Sequence, residues 1–437
     1  MIKKLLIVFI ALIAIYGHAQ EGTASPYSFY GLGNLKFKGT VENRSMGGLS
    51  IYTDSIHVNL RNPASYSGDN LEIWGNESRP VKFTVGGSYS SIDLKSDSGS
   101  DNASSTTFDY LAITIPVGKF GFGFGLLPYT SVGYKLESLN SDGDIENRFR
   151  GEGGLNKVFF GIGYQIAQGL TVGADIQYNF GNIQNNVIEY QYDNGVPIQF
   201  QSREINRSDL SGLNLNLGIS YKTMLNDKLE VVSGVTYSPE SLLASQNQQS
   251  FSIITINSST GQEFELNTVE VDLESMGLLK TDVILPSKFS AGFGIGEPRK
   301  WFVGAEYFFQ NTSNLRNAIP NSSNDTNYED ATSISIGGFF IPQYNSFTSF
   351  IKRTVYRAGV RFENTGLIIN NQSIKEFGIS FGLGLPVGDA RLLSNANLGF
   401  EIGKRGTTNS NLIQENFINF QLSLSLNDRW FQKRKYD

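Results

Sequence analysis

The C-terminal part of the chain alternates strictly between apolar and polar positions. From Ile418 to Leu426 every even position is large and apolar, whereas the odd positions from Asn419 to Ser425 are Asn, Gln or Ser. This period of two predicts a β-strand with one apolar and one polar face. A tilted strand of roughly 9–11 residues is long enough to cross a bilayer. Trp430-Phe431 follows, at the position where membrane barrels carry aromatic girdles.

The same alternation recurs backwards through the chain and predicts about 14 strands, an even number as in single-chain bacterial barrels. In Leu170–Phe180, for example, the even positions are apolar and the odd positions are small or polar. The other predicted strands are Val81–Leu94, Thr106–Val117, Phe120–Leu136, Leu155–Ile166, Leu213–Tyr221, Leu229–Pro239, Val283–Ile295, Trp301–Gln310, Thr332–Ile341, Lys352–Glu363, Lys375–Leu385 and Asn395–Lys404.

The connections between these strands alternate in length. Gly118-Lys119 and Ala167–Gly169 are short, whereas Glu137–Gly153, Gly181–Asp209 and Glu240–Asp282 are long. Short turns at one end and long loops at the other are typical of outer-membrane barrels, with the turns in the periplasm. A soluble β-sandwich would not require this bias. We therefore predict an all-β fold, a transmembrane antiparallel barrel.

The N-terminal region has a different pattern. Residues 1–19 combine Lys3 and Lys4 with an apolar run and small residues before Gln20, which predicts a signal peptide. Residues 20–80 do not alternate, and their apolar content favours a plug or hatch over a disordered tail. Residues 81–431 are assigned to the barrel and residues 432–437 to a periplasmic tail. These features predict a location in the bacterial outer membrane.

The composition excludes several classes of function. The chain has no cysteine, and its formal net charge of −6 argues against nucleic acid as a partner. After removal of the signal peptide, His57 is the one remaining histidine, and it lies in the predicted plug. An outer-membrane hydrolase would need it in the wall beside a serine. We expect no enzyme activity, no metal site and no cofactor.

Several side chains are predicted to face the barrel interior. Both signs of charge occur there, so ion pairs that brace the wall are favoured over a selectivity ring. Aromatic residues at Phe159, Phe302 and Phe308 must contact either the plug or a hydrophobic ligand, and both alternatives stay open. The predicted interior charges are Asp175, Lys222, Glu306, Arg357, Arg361, Glu363 and Glu401.

Pro128 interrupts the predicted strand Phe120–Leu136. Proline lacks the N–H group that a sheet ladder requires, so it marks either a gap in the wall or a harmless bend above the membrane. A gap would offer a lateral exit towards lipid.

Short motifs, in their order along the chain, resemble the long-chain fatty-acid transporter (FadL) family. They are Ser45-Met-Gly-Gly48 with Asn62-Pro63-Ala64, Leu285-Pro-Ser-Lys-Phe-Ser-Ala-Gly292, Val355-Tyr-Arg-Ala-Gly359, Gly382-Leu-Gly-Leu-Pro-Val-Gly388, Glu401-Ile-Gly-Lys-Arg-Gly406 and Asn427-Asp-Arg-Trp-Phe431. The resemblance implies a 14-stranded barrel with an N-terminal hatch that includes Asn62, Pro63 and Ala64. It also implies that Pro128 belongs to a kinked wall strand.

Three functions follow from the sequence. The first is passive uptake of a hydrophobic small molecule through a plugged lumen with a side exit. The second is a docking or accessory subunit of an outer-membrane secretion or assembly machine, as the non-transporting PorV shuttle of the same superfamily suggests. The third, an open porin, is disfavoured by the plug. The expected partners are membrane lipid, a hydrophobic ligand, and other outer-membrane or periplasmic proteins.

Overall fold

The computed structural model describes residues 22–54, 56–68, 80–97, 99–257, 260–314, 326–346, 348–387 and 394–428. The predicted signal peptide and the tail 432–437 lie outside these residues, as do Trp430 and Phe431. Among the described residues, no helix has the length and apolar character needed to cross a membrane.

Most of the described chain is β-strand. The strands are β1 (Asn34–Leu35), β2 (Val81–Lys95), β3 (Ser100–Val117), β4 (Phe120–Pro128), β5 (Thr130–Leu139), β6 (Ile145–Ala167), β7 (Leu170–Glu189), β8 (Tyr192–Asp193), β9 (Val196–Pro197), β10 (Gln201–Met224), β11 (Glu230–Ser238), β12 (Ser241–Ile256), β13 (Glu263–Glu270), β14 (Lys280–Leu285), β15 (Lys288–Glu297), β16 (Trp301–Gln310), β17 (Thr326–Tyr328), β18 (Ala331–Phe340), β19 (Val355–Ile369), β20 (Gln372–Pro386), β21 (Asn395–Arg405) and β22 (Gln414–Asp428). The helices are α1 (Val41–Arg44) and α2 (Phe350–Arg353), with 3-10 turns at Pro26–Phe29, Pro63–Tyr66, Thr312–Asn314 and Asn409–Asn411.

The strands close into an antiparallel barrel of 14 strands. Each wall strand pairs with its neighbours in the sequence, and the barrel closes where β22 pairs with β2 from Val81↔Asp428 to Lys95↔Gln414. Three wall strands are each built from two segments that meet at a break: β4 with β5, β11 with β12, and β14 with β15. The predicted fold class is confirmed.

The faces of the wall follow the alternation in the sequence. Ile176 and Leu213 are 58% and 61% exposed on the outside, whereas Asp175, Asn179 and Ser220 are buried on the inside. An apolar exterior around a polar interior is the arrangement that a lipid bilayer requires of a barrel wall. The apolar face predicted from the period of two therefore lies outside.

The segments predicted to be long loops are mostly β-strand, so this prediction is wrong. Most of Glu137–Gly153, Gly181–Asp209 and Glu240–Asp282 is strand, chiefly in β6, β7, β10, β12 and β13. Beyond the apolar band, stretches such as Gln201–Asp209 of β10 are mostly polar on both faces, so the alternation that identifies a membrane strand is missing there. The strands extend well past the band, and tight turns such as Asn370-Asn371 connect some of them.

Residues 22–54 and 56–68, here called the N-terminal segment, lie against the inside of the wall. Wall glycines leave room for its backbone. A Cβ atom on Gly173 would overlap the backbone of Pro63, and one on Gly337 or Gly359 would overlap the backbone of Met46. Glycine is the residue that permits such close approach of two backbones. The interior is therefore packed by the main chain of this segment.

Buried ion pairs join the N-terminal segment to the last wall strands. Lys38 Nζ lies 2.8 Å from both Glu363 and Glu376, and the Glu376 side chain is only 2% exposed. Arg361 contacts both Glu376 and Glu401. Arg405 Nε donates to Glu376 at 2.7 Å. Because these charges are screened little by water, each carboxylate depends on its cationic partners.

We expect Gly173→Val to displace the N-terminal segment while the barrel stays closed, because the new side chain overlaps Pro63. Trypsin cleavage after Arg61 should accelerate by about tenfold, as overpacking typically costs about 1–3 kcal/mol. Heat-modifiable migration in detergent gels reports the intact barrel. Gly99→Val is the matched control, since a Cβ at Gly99 meets open space. Equal cleavage rates in the two variants would contradict the packing described.

Glu376→Gln should lower the free energy of unfolding by about 3–5 kcal/mol, because it strips the shared carboxylate from buried cations. Urea titration in detergent micelles, followed by tryptophan fluorescence, measures this loss. Glu137→Gln serves as control, since Glu137 is 46% exposed in its pair with Arg148 and such pairs contribute about 0–1 kcal/mol. Similar losses in both variants would show that the buried network does not hold the structure.

Candidate functional site

The wall has a break in strand pairing between β3 and β5. β3 pairs with β2 from Ser100 to Thr114, but it pairs with β4 only from Leu111 to Val117. β5 pairs with β6 on one side and with β1 of the N-terminal segment on the other. Within the described residues, Ser100–Tyr110 therefore has no ladder partner on the β5 side.

The break begins at Pro128, the last residue of β4. Pro128 still pairs with Asn156 in register, but β5 is drawn towards the N-terminal segment, where Thr130 pairs with Leu35 and Ser131 with Asn34. The Lys36 amide donates to the Tyr129 carbonyl at 3.0 Å. Because proline has no backbone N–H group, the end of β4 at Pro128 leaves no unsatisfied donor there, and ending the strand costs little free energy.

Two glycines in the neighbouring strand allow the wall to bend at this level. Gly153 and Gly154 of β6 have φ values of +107° and +135°, which side chains with a Cβ rarely adopt. A Cβ on Gly154 would also overlap the Thr130 carbonyl. Sequence reasoning missed these residues because it placed Gly153 at the end of a loop. The signal was the Gly-Gly pair at the start of an alternating run, which is typical of a bulge or bend.

A cavity of about 390 Å³ occupies the break. Thr106, Thr107 and Phe108 of β3 form one side, and Pro128, Thr130 and Ser131 form the other. Lys36 and Gly22 of the N-terminal segment, with Gly153, Gly154, Asn156, Gly181 and Asn182 of β6 and β7, complete the lining.

Two further cavities of about 140 and 170 Å³ lie inside the barrel. Both are lined by Leu35, Lys38, Tyr129, Phe308 and Glu363. Thr130 lines the smaller of them as well as the cavity at the break. The three cavities therefore adjoin around Tyr129 and Thr130.

The predicted pocket aromatics have different surroundings. Phe308 lines the two interior cavities. Phe159 is buried and stacks on Tyr66 of the N-terminal segment, with ring centroids 6.5 Å apart. Phe302 is also buried and contacts Tyr52 at 4.7 Å between centroids. The structure thus packs Phe159 and Phe302 against the N-terminal segment, and Phe302 also lines a cavity of about 1330 Å³. Phe308 lies at the two interior cavities.

The Asn62-Pro63-Ala64 motif docks a turn of the N-terminal segment on the wall. Asn62 Oδ1 accepts a hydrogen bond from the Ala64 amide at 3.0 Å, which caps the turn. Asn62 Nδ2 donates to the Ile219 carbonyl of β10 at 3.0 Å. The motif therefore shapes the turn and also fixes it to the barrel.

The predicted interior charges mostly occur in pairs. Lys222 lies 2.9 Å from Glu230, and Glu306 lies 2.7 Å from Arg61 of the N-terminal segment while accepting from Ser50. Glu363, Arg361 and Glu401 belong to the network around Glu376. Arg357 donates to Asn397 at 3.1 Å, and Asp175 accepts from Asn216 at 3.3 Å. Such pairs of opposite charges stabilise contacts inside the barrel.

His57 has surroundings that do not fit a hydrolase. Its Nδ1 lies 2.7 Å from Asp54, as in a triad, but its Nε2 faces Glu42 at 3.8 Å and Arg357 at 3.5 Å. A nucleophilic hydroxyl would have to occupy that position. Within the described residues, no group of three or more His, Cys, Asp or Glu side chains could hold a metal ion.

Solved structures with the same fold are outer-membrane channels. The CymD monoaromatic hydrocarbon channel is 15% identical, covers 91% of this chain and 99% of its own, and superposes with a TM-score of 0.55. The Pseudomonas putida toluene transporter TodX is 16% identical over 92% and 100%, with a TM-score of 0.58. A Pseudomonas aeruginosa FadL homologue is 11% identical over 92% and 100%, with a TM-score of 0.55.

These likenesses establish the fold, a barrel of the outer-membrane type. They confirm the resemblance to the FadL family that the sequence motifs indicated. None of the curated proteins compared with the chain matches it. The family model for BamG matches residues 1–437. The chain therefore belongs to the BamG family.

Proposed function

We propose that the protein admits small hydrophobic molecules across the outer membrane by passive diffusion, through the interior cavities and out of the wall beside Pro128. The observation that carries the proposal is the unpaired stretch Ser100–Tyr110 of β3. In hydrocarbon, an unpaired strand edge is costly, so an opening in a membrane wall is retained where it has a use. A lateral opening delivers an apolar solute directly into lipid.

The cavities suit a small solute. An apolar protein cavity of about 150 Å³ accommodates benzene, and the two interior cavities measure about 140 and 170 Å³. Their shared lining places Leu35 and Phe308 beside Tyr129. Single-ring compounds fit this space without displacement of the N-terminal segment, whereas a long acyl chain would need that segment to move. CymD and TodX, which share the fold, are described as monoaromatic hydrocarbon channels.

The proposed side exit is lined by both polar and apolar side chains. Thr106 and Phe108 of β3 are exposed beside the break, and Phe108 is 43% exposed. Lys36 lies on the inner side of the same cavity. An apolar solute would pass from the interior aromatics to Phe108 and then into the acyl chains. No energy source is needed for this step, because partition into lipid is downhill for such a solute.

We expect Thr106→Trp to slow the entry of radiolabelled toluene into intact cells that carry the protein by about tenfold, which corresponds to about 1.4 kcal/mol in barrier height. Where uptake without the protein is faster than that, the rate should fall to the rate of cells without the protein. The indole would occupy the cavity at the break, which Thr106 lines. Initial uptake rates measure the effect, and folded protein in the outer membrane is quantified in parallel.

Ser104→Trp is the matched control. Ser104 is exposed on the same strand, two residues from Thr106, and is not among the residues that line the cavity. Uptake through the Ser104→Trp variant should equal that of the unmodified protein. If toluene enters equally fast with and without the protein, or if both tryptophans slow it alike, the proposed route is wrong.

A further inference from the structure

The hairpin formed by β12 and β13 stands far above the membrane band. Ser250–Ile256 of β12 pairs with β13, from Ser250↔Glu270 to Ile256↔Glu263. From Val231, near the short-turn end, to Ser250 the wall rises about 50 Å, at roughly 3.3 Å per residue and a tilt of about 40°. The apolar band of such barrels is about 25 Å tall, and their short turns face the periplasm. The hairpin therefore projects into the space outside the cell.

The inward face of the hairpin is fixed to the barrel. Arg203 of β10 contacts Glu263 at 3.6 Å and also pairs with Glu265. Arg150 of β6 reaches Glu263 at 3.2 Å. Ser252 and Thr268 share a hydrogen bond of 3.0 Å across the two strands. These contacts hold β13 in place as an extension of the wall.

The outward face of the hairpin is apolar although it lies above the membrane band. Phe251 and Val269 pair directly across the two strands and are 48% and 62% exposed. Ile253, Phe264 and Leu266 add exposures of 48%, 48% and 57%. An apolar patch in an aqueous layer is unfavourable when it stays uncovered, and such patches mark interaction surfaces.

The hairpin also ends in an open strand edge. β13 pairs with β12 on one side, and among the described residues it has no partner on the other. Its sequence, Glu263-Phe-Glu-Leu-Asn-Thr-Val-Glu270, contains neither the lysine nor the proline that natural proteins use to block such an edge. An edge of this kind can accept an added strand through main-chain hydrogen bonds.

The charge along this edge is of one sign. Residues 261–277 contain Glu263, Glu265, Glu270, Asp272 and Glu274 and no Lys or Arg. The hydrogen bond from Thr268 and the pairing with Arg203 lower the pKa of the Glu265 carboxyl below its ordinary value. By strand register, Glu263, Glu265 and Glu270 face inwards, and Phe264 and Val269 face outwards. On one face an added strand would meet Glu270, together with Glu263 and Glu265 in their pairs with Arg150 and Arg203. On the other face it would meet apolar side chains.

We propose that the free edge of β13 binds an extended segment of a second protein outside the cell, in which basic residues alternate with β-branched or aromatic ones. The backbone of that segment extends the sheet. Its basic side chains lie beside Glu270 and the partly exposed Glu265, and its apolar side chains cover Phe264 and Val269. This interaction surface is independent of the proposed uptake route, which lies across the barrel wall at β3 and β5.

The test uses the purified full-length protein in detergent and a fluorescent eight-residue peptide of alternating lysine and valine. We expect saturable binding by fluorescence anisotropy, at least tenfold tighter than that of a peptide with glutamate in place of each lysine. Hydrogen–deuterium exchange should slow in 263–270 on binding, because added ladder bonds protect backbone amides. No saturable binding, or protection confined to other segments, would overturn the proposal.

Two variants locate the interaction. Phe264→Ser/Val269→Ser removes apolar contacts, and Glu270→Lys/Asp272→Lys reverses charge at residues that make no ion pair among the described contacts. Each should weaken peptide binding at least tenfold. Val196→Ser/Phe200→Ser is the control, because Val196 and Phe200 are 66% and 48% exposed elsewhere outside the membrane band. Equal affinity in all variants, or equal loss in the control, would refute a site on β13.

Discussion

The short pairing between β1 and β5 is the interaction on which the shape of the wall depends. A membrane barrel is stable because every strand edge is paired, since lipid offers no hydrogen bonds to a free N–H or C=O group. Here β5 exchanges its expected partner, β3, for Asn34 and Leu35 of the N-terminal segment. The segment thereby satisfies the β5 side of the break, whereas on the other side Ser100–Tyr110 of β3 has no ladder partner among the described residues.

The same segment binds the rest of the barrel in two further ways. Glycines from strands on opposite sides, such as Gly173 and Gly359, accept its backbone at close range. Its lysine and arginine side chains complete buried charge networks with Glu376 and Glu306. The backbone packing opposes a sideways shift of the N-terminal segment. The ion pairs oppose its removal from the barrel, because both charged partners would then be left uncompensated. Open space remains beside the segment in the cavities around Tyr129.

The sequence predicted wall strands correctly where contact with lipid requires apolar and polar positions to alternate, and poorly where it does not. Alternation in Leu170–Phe180 and Ile418–Leu426 identified wall strands correctly, because one face must be apolar in lipid. It failed over Gly181–Asp209, where most residues on both faces are polar and the pattern does not distinguish a strand from a loop. The placement of Phe308 at a cavity, with Phe302 packed on Tyr52, depends on how the N-terminal segment runs, which the residues near either phenylalanine do not specify.

The closing seam between β2 and β22 has a consequence for biogenesis. The N-terminal segment contacts β5, β7, β10, β16 and β19–β22 from within, and Tyr27 and Ser25 already bond to Ile413 and Glu415 near the end of the chain. A segment held by partners on so many strands cannot be threaded into a finished cylinder. The seam that closes the wall lies beside the residues that bond Ser25 and Tyr27, so enclosure of the N-terminal segment and closure of the membrane wall are coupled.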